Sequence, residues 1–196
     1  MEQIQEPGNR AVILETALKL FSGRGYEAVG VAELCEASSV TKPTLYHYFG
    51  SKRGLLDAII KEKGDPLLSA VEKAATVQSP YDVPLALEGI AWAFATRAVA
   101  EPDFARLRLT LAFSPSASEG GEAISVLNRA LFSHVEAFFK AAAEYHGNMK
   151  GRSIPYAAAF IGTVDTYVGL YLAKQSELSA EVVKAAVRQF MYGIFS

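Results

Sequence analysis

The chain has 196 residues, 51% hydrophobic, 11% aromatic and 20% charged, with a formal net charge of -2. This composition belongs to a folded globular protein and excludes a disordered chain. The near-neutral balance excludes binding that relies on bulk basicity, although 42–63 carries five basic residues against two acidic ones, a local +3.

Residues 1–10 are polar and acidic with no apolar stretch, so no secretory leader is expected. A first helix is predicted from Arg10 to Arg24, where Val12, Ile13, Leu14, Ala17, Leu20 and Phe21 recur at three- and four-residue steps. Asn9 is placed to cap it and Gly25 to stop it. A second helix spans about Val31 to Ser38 behind Gly30. It holds Cys35, the one cysteine, which excludes an intramolecular disulfide and suits a reducing cytoplasm. Its apolar neighbours favour packing over redox sensing.

The polar link Ser38-Ser39-Val40-Thr41 leads to a third helix from Lys42 to Tyr48. Three short helices, the last two joined by four residues, have the spacing of a helix-turn-helix. At 100° per residue, Lys42, Pro43, Tyr46 and His47 share one outward face, while Leu45 and Phe49 point inward. Thr44 and Tyr48 are i, i+4 neighbours on a flank suited to phosphates, which leaves the Lys42/Tyr46 face for base edges in the major groove. Ser51-Lys52, capping a fourth helix, offers free amides and a cation as a phosphate clamp.

Ile13-Leu14, Ala17, Leu20-Phe21, Gly25-Tyr26, the run Val40 to Phe49, Ser51-Lys52 and Leu55-Leu56 together resemble the tetracycline-repressor (TetR) family over residues 10 to 60. The resemblance implies a homodimer whose third helices enter successive major grooves of a palindromic double-stranded DNA operator. It implies base contacts from Lys42, Pro43 and Tyr46, and phosphate contacts from Thr41, Thr44, Tyr48 and Lys52. Three departures stand out. Gly30 replaces a Ser or Thr cap, Ala32 sits where some members carry a base-reading Arg, and Ser39 replaces a turn Gly. Either the turn is not left-handed at Ser39 or it carries strain. Arg53-Gly54 stand where acids are frequent, which raises the local positive charge.

The fourth helix runs at least to Lys63. Gly64-Asp65-Pro66 reads as a break or kink and a candidate hinge, with a continuation to about Ala75. Further helices are predicted at about Pro84 to Ala100, Pro102 to Phe113, Gly121 to Tyr145, Ser153 to Lys174 and Ala180 to Phe195. The loops between them are Gln78-Ser79-Pro80, Ser114 to Gly121 and His146 to Arg152. The longest apolar run, 157–173, is interrupted by Asp165 and falls short of the roughly 20 residues of a membrane span, so no membrane is expected.

The expected architecture is therefore all-α, with about nine helices. Residues 8–63 form a helix-turn-helix domain, and residues 64–196 a helical ligand-binding and dimerisation domain. Ala158, Gly162 and Gly169 permit close helix approach. With Val182, Val183, Ala186, Val187, Phe190 and Met191 of the last helix they would form a four-helix interface in the dimer the resemblance implies.

Trp92, Phe94, Phe113, Phe132, Phe138, Tyr167 and Tyr171 are candidate aromatic lining for a small, largely apolar ligand. Arg97, His134, Asp165, Thr166 and Tyr167 are polar groups in apolar helices that need partners if buried. The ligand-site candidates are Trp92, Phe113, His134, Phe138, Asp165, Tyr167 and Tyr171. His47, His134 and His146 are scattered, and no nucleophile–base order, phosphate loop or metal spacing occurs, so neither catalysis, cofactor nor metal is expected. The reading is a cytoplasmic, homodimeric repressor released from its operator by that ligand. An activator, or a ligand-independent chromosome-organising protein of the same fold, is the alternative.

Overall fold

The computed structural model describes residues 8–76, 79 and 82–193. Among these residues the chain is all-α, with nine α-helices, one short 3-10 turn and no strand. The helices are α1 (Asn9–Arg24), α2 (Val31–Ala37), α3 (Lys42–Phe49), α4 (Lys52–Ala74) and α5 (Asp82–Ala100). They continue as α6 (Pro102–Ala112), α7 (Glu119–Ala142), α8 (Ser153–Leu172) and α9 (Ala180–Tyr192). Of the expected segments, residues 1–7, Gln78, Pro80 and the end of the last helix at Phe195 lie outside the described residues.

Local chemistry sets most helix ends. The side chains of Thr41, Ser51, Ser118 and Ser179 each accept a first-turn amide, satisfying a donor that the helix leaves open. Gly25 stops α1 with a φ of 87°, where a side chain would be strained. Asn9 is not the cap expected of it. Gly8 holds that place without a side-chain bond, and Asn9 is the first helical residue.

The expected break at Gly64-Asp65-Pro66 does not occur, because α4 runs unbroken with Pro66 inside it. An internal proline costs about 3 kcal/mol. Beyond it, Leu67 and Val71 are buried on the same side as Leu55, Leu56 and Ile59, each worth about 1.5–3 kcal/mol. Burial outweighs the proline and holds the helix on course against α5 and α7. Gly64 lets α7 come close, since a Cβ there would stand 2.7 Å from Leu127 Cδ2.

α5 lies against α4, α6, α8 and α9, and α7 packs on α4, α6 and α8. α1 rests on α6, so the first three helices reach the remainder through α6 and α4. A single cluster of buried residues runs from Ile13 to Val187 across the boundary expected after residue 63. α5 meets the length and composition of a membrane span, yet 50% of its apolar window is buried in this core.

Candidate nucleic-acid interface

The Ser38–Thr41 turn presents α3 outward. Ser39 has a φ of 54°, so of the two readings of this turn the left-handed, strained one applies. Thr41 Oγ1 accepts the Thr44 amide at 3.3 Å and lies 2.8 Å from Thr44 Oγ1. Leu45 is fully buried and anchors the helix, while Phe49 is half-buried beneath the Arg10 guanidinium, 5.4 Å from its ring centre.

Lys42, Pro43 and His47 are exposed, and Tyr46 and Tyr48 expose 45% and 41% of their surface. Neither the Lys42 nor the Tyr46 side chain makes a hydrogen bond, ion pair or ring contact among the described residues. Pro43 at the first turn removes an amide that has no helical partner there. The result is a cationic and phenolic face on a helix fixed from behind by Leu45 and from its start by Thr41. On the neighbouring helix, Gly30 makes no side-chain cap, and Ala32 is exposed but offers no hydrogen bond.

Lys52 departs from expectation. Its ammonium donates to the carbonyl oxygens of Tyr26 at 3.0 Å and Val29 at 3.1 Å, and it lies 4.1 Å from the centre of the Tyr26 ring. In the DNA-free chain this side chain ties down the loop between α1 and α2. Arg53 adds no free positive charge, because it pairs with Asp57 at 2.9 Å and Glu122 at 3.5 Å. Gly54 has a steric reason, since a Cβ there would fall 2.0 Å from the Phe49 carbonyl oxygen.

Two further contacts join this unit to the core, and the sequence did not single them out. The buried Tyr26 donates its hydroxyl to Glu119 Oε2 at 2.6 Å, at the start of α7. Burial first, and then that hydrogen bond, push the phenol well above its ordinary pKa. Lys63 lies between Glu15 of α1 at 2.7 Å and Glu101 at 3.1 Å. Burial pulls the Lys63 ammonium down, but the hydrogen bonds it donates to Glu15 and then Glu101 outweigh it and leave its pKa raised.

The seven ligand-site candidates do not gather into one site. Phe113 is 89% exposed and Trp92 42%, whereas Phe138 is buried edge-on against Phe139 in the core. His134 and Tyr171 are half-buried, Tyr171 packing on the cluster's edge. Asp165 pairs with Arg108 of α6, a residue only 4% exposed that also faces the Phe94 ring. Arg108 falls on the inward stripe of Phe104, Leu107 and Leu111, which is the signal by which sequence could have found it. Only Tyr167 lines an interior crevice. This space, of about 20 Å3, is walled by Ala91, Ala95, Val164, Leu178 and Val187 among others. That is about the room one water molecule takes.

A short helix presented by a four-residue turn, fixed from behind and free in front, is a helix-turn-helix reading head on an all-helical core. Residues 13–59 match the family described as bacterial regulatory proteins, tetR family. A TetR-family transcriptional regulator, PfmR of Thermus thermophilus, is 26% identical, with a TM-score of 0.77 over 97% of this chain and 100% of its own. Residues 13–59 thus carry the domain described as bacterial regulatory proteins, tetR family, and the whole chain shares the fold of a TetR-family regulator.

Two further relatives match over shorter stretches. The transcriptional activator FasR of Mycolicibacterium smegmatis is 38% identical over 65 residues, 33% of this chain and 30% of that protein. The transcriptional repressor ComR of Escherichia coli is 44% identical over 52 residues, 26% of this chain and 25% of that one. These matches therefore span less than a third of the curated relatives' length. FadR of Bacillus subtilis, solved in complex with stearoyl-CoA, shares the fold with a TM-score of 0.72 over 94% of this chain and 98% of its own, at 18% identity.

Proposed function

We propose that this chain is a homodimeric repressor of the TetR family that binds an inverted-repeat operator and is released by a small, largely apolar ligand. The observation that carries the reading is the free Lys42/Pro43/Tyr46 face of α3, buttressed by the buried Leu45. In it Lys42, Pro43 and Tyr46 meet base edges, and Thr41, Thr44 and Tyr48 meet phosphates. Lys52 acts indirectly, by holding the α1–α2 loop.

Dimerisation is supported by the outward faces of α8 and α9. Ala158 and Gly162 are exposed, and a Cβ at Gly162 or Gly169 would meet nothing within 4 Å. Ligand release is supported by the crevice between α5, α8 and α9, whose lining holds no charged side chain. A ligand must part these helices, so it binds the closed state poorly and shifts the population toward an open one. That a neighbour of this fold binds stearoyl-CoA supports an amphiphile with a long apolar portion as the occupant.

Footprinting on selected DNA tests the reading. Each dimer should protect two inverted half-sites about 34–36 Å apart, or a multiple of that. Protection without an inverted repeat would refute it. Activation is a second reading favoured by one observation, the 65-residue match of this chain to the activator FasR. The head is compatible with either outcome, and a promoter reporter with the half-sites at their natural position separates them.

A further inference from the structure

His47 has no task inside the protein. It is exposed in the last turn of α3, between Tyr46 and Tyr48. At about 100° per residue it lies about 40° from Pro43 and about 60° from Thr44, where the base-reading face borders the phosphate flank. Its ring meets that of Tyr48 edge-on, with centres 5.3 Å apart, which leans it towards the flank. Neither ring nitrogen makes a hydrogen bond or ion pair among the described residues.

α3 packs on α1, α2 and α4, and the charged groups of these helices leave the imidazole alone. Arg10 pairs with Glu62 and Arg24 with Glu33, while Glu36 is exposed. Lys52 bonds to two backbone carbonyls, and Arg53 pairs with Asp57. None of them, nor Lys42 on α3 itself, pairs with His47. A proton on this ring therefore finds no carboxylate in the chain to hold it. Histidine changes charge between pH 5 and 8, an adjacent anion favours the charged form, and both nitrogens of that form donate. We infer that His47 is a further DNA-contacting residue whose contact is proton-linked. The protonated ring donates to a backbone phosphate beside Tyr48, and the proton comes from solvent as the duplex binds. This rests on the reading of α3 as the operator-binding helix.

The test begins with selection of duplexes from a random pool by the full chain at pH 7. Affinity for a selected duplex, and for an unrelated one of equal length, is then measured at pH 6 and pH 8 across a salt series. The parent should bind both duplexes about fivefold or more tighter at pH 6, with a salt slope steeper by about 0.9 per chain. His47→Gln, which takes no proton, should lose both differences and bind as the parent does at pH 8. His47→Lys, charged throughout, should bind at both pH values as the parent does at pH 6. His134 and His146 are common to all three proteins, so their effects cancel. A pH difference that persists in His47→Gln would overturn the inference and leave the operator reading standing. One confined to the selected duplex would refute the phosphate contact. Failure to select any duplex would overturn the operator reading, and this inference with it.

Discussion

Lys42→Ala and Tyr46→Ala remove side chains that the protein itself does not use, so they separate reading from folding. Each should weaken specific operator binding by about 1–3 kcal/mol and change base preference. Urea midpoints should stay within about 0.5 kcal/mol of the parent. Competition binding against variant half-sites measures the first effect, and intact affinity and preference for Lys42→Ala would refute the proposed face. Lys52→Ala should behave in the opposite way. It removes two charge-assisted bonds to backbone carbonyls, so the expected loss is about 1.5–3 kcal/mol of stability. The slope of log affinity against log salt should hardly change. A fall of about one in that slope would restore a direct phosphate contact.

Among elements, the α2–α3 turn carries a measurable cost. A non-glycine residue in the left-handed region costs roughly 1–2 kcal/mol, and Ser39 sits there with a φ of 54°. Ser39→Gly should therefore stabilise the fold by up to about 1 kcal/mol in a thermal melt, after the entropy of the freer unfolded chain is subtracted. A destabilised variant would mean that the serine side chain contributes something the turn needs. The helices themselves, and the outward face of α3, were legible because their signals are local: apolar spacing, a Thr41 or Ser51 cap, a Gly25 stop. The continuity of α4 was not. Pro66 is a local stop signal, and what overrides it is contact with α5 and α7, distant in sequence. The intramolecular partners of Lys52 were hidden for the same reason, since they lie 26 and 23 residues away.

At the scale of the whole molecule, the reading head is tied to the core by Tyr26 to Glu119, Arg53 to Glu122 and Lys63 between Glu15 and Glu101. The Tyr26 tie has a pH signature. Folding favours the neutral phenol, whose folded pKa is raised above its ordinary value of about 10. Its contribution is thus complete below pH 10 and is lost as pH rises beyond that value. Tyr26→Phe should lower stability near neutral pH and flatten the alkaline fall relative to the parent, as denaturation midpoints between pH 8 and about 11 would reveal. Parallel pH curves for the two proteins would rule the tie out. The proposed ligand site was the least legible part. Asp165 and Phe138 are ordinary pocket residues by type, but a pocket is defined by what surrounds it. Here Arg108 occupies the carboxylate and the core encloses the ring.

The chain has a single tryptophan, and it stands on α5. Trp92 is partly open to solvent, next along the helix from Ala91, which walls the crevice that a releasing ligand would have to open. The protein therefore carries its own optical probe, with no second indole to confuse the signal and no need for a label. An occupant that displaces α5 would alter the water around this ring and shift its emission, whereas one bound away from α5 would leave the spectrum still. Candidate effectors can be sorted by colour alone, before any operator is known.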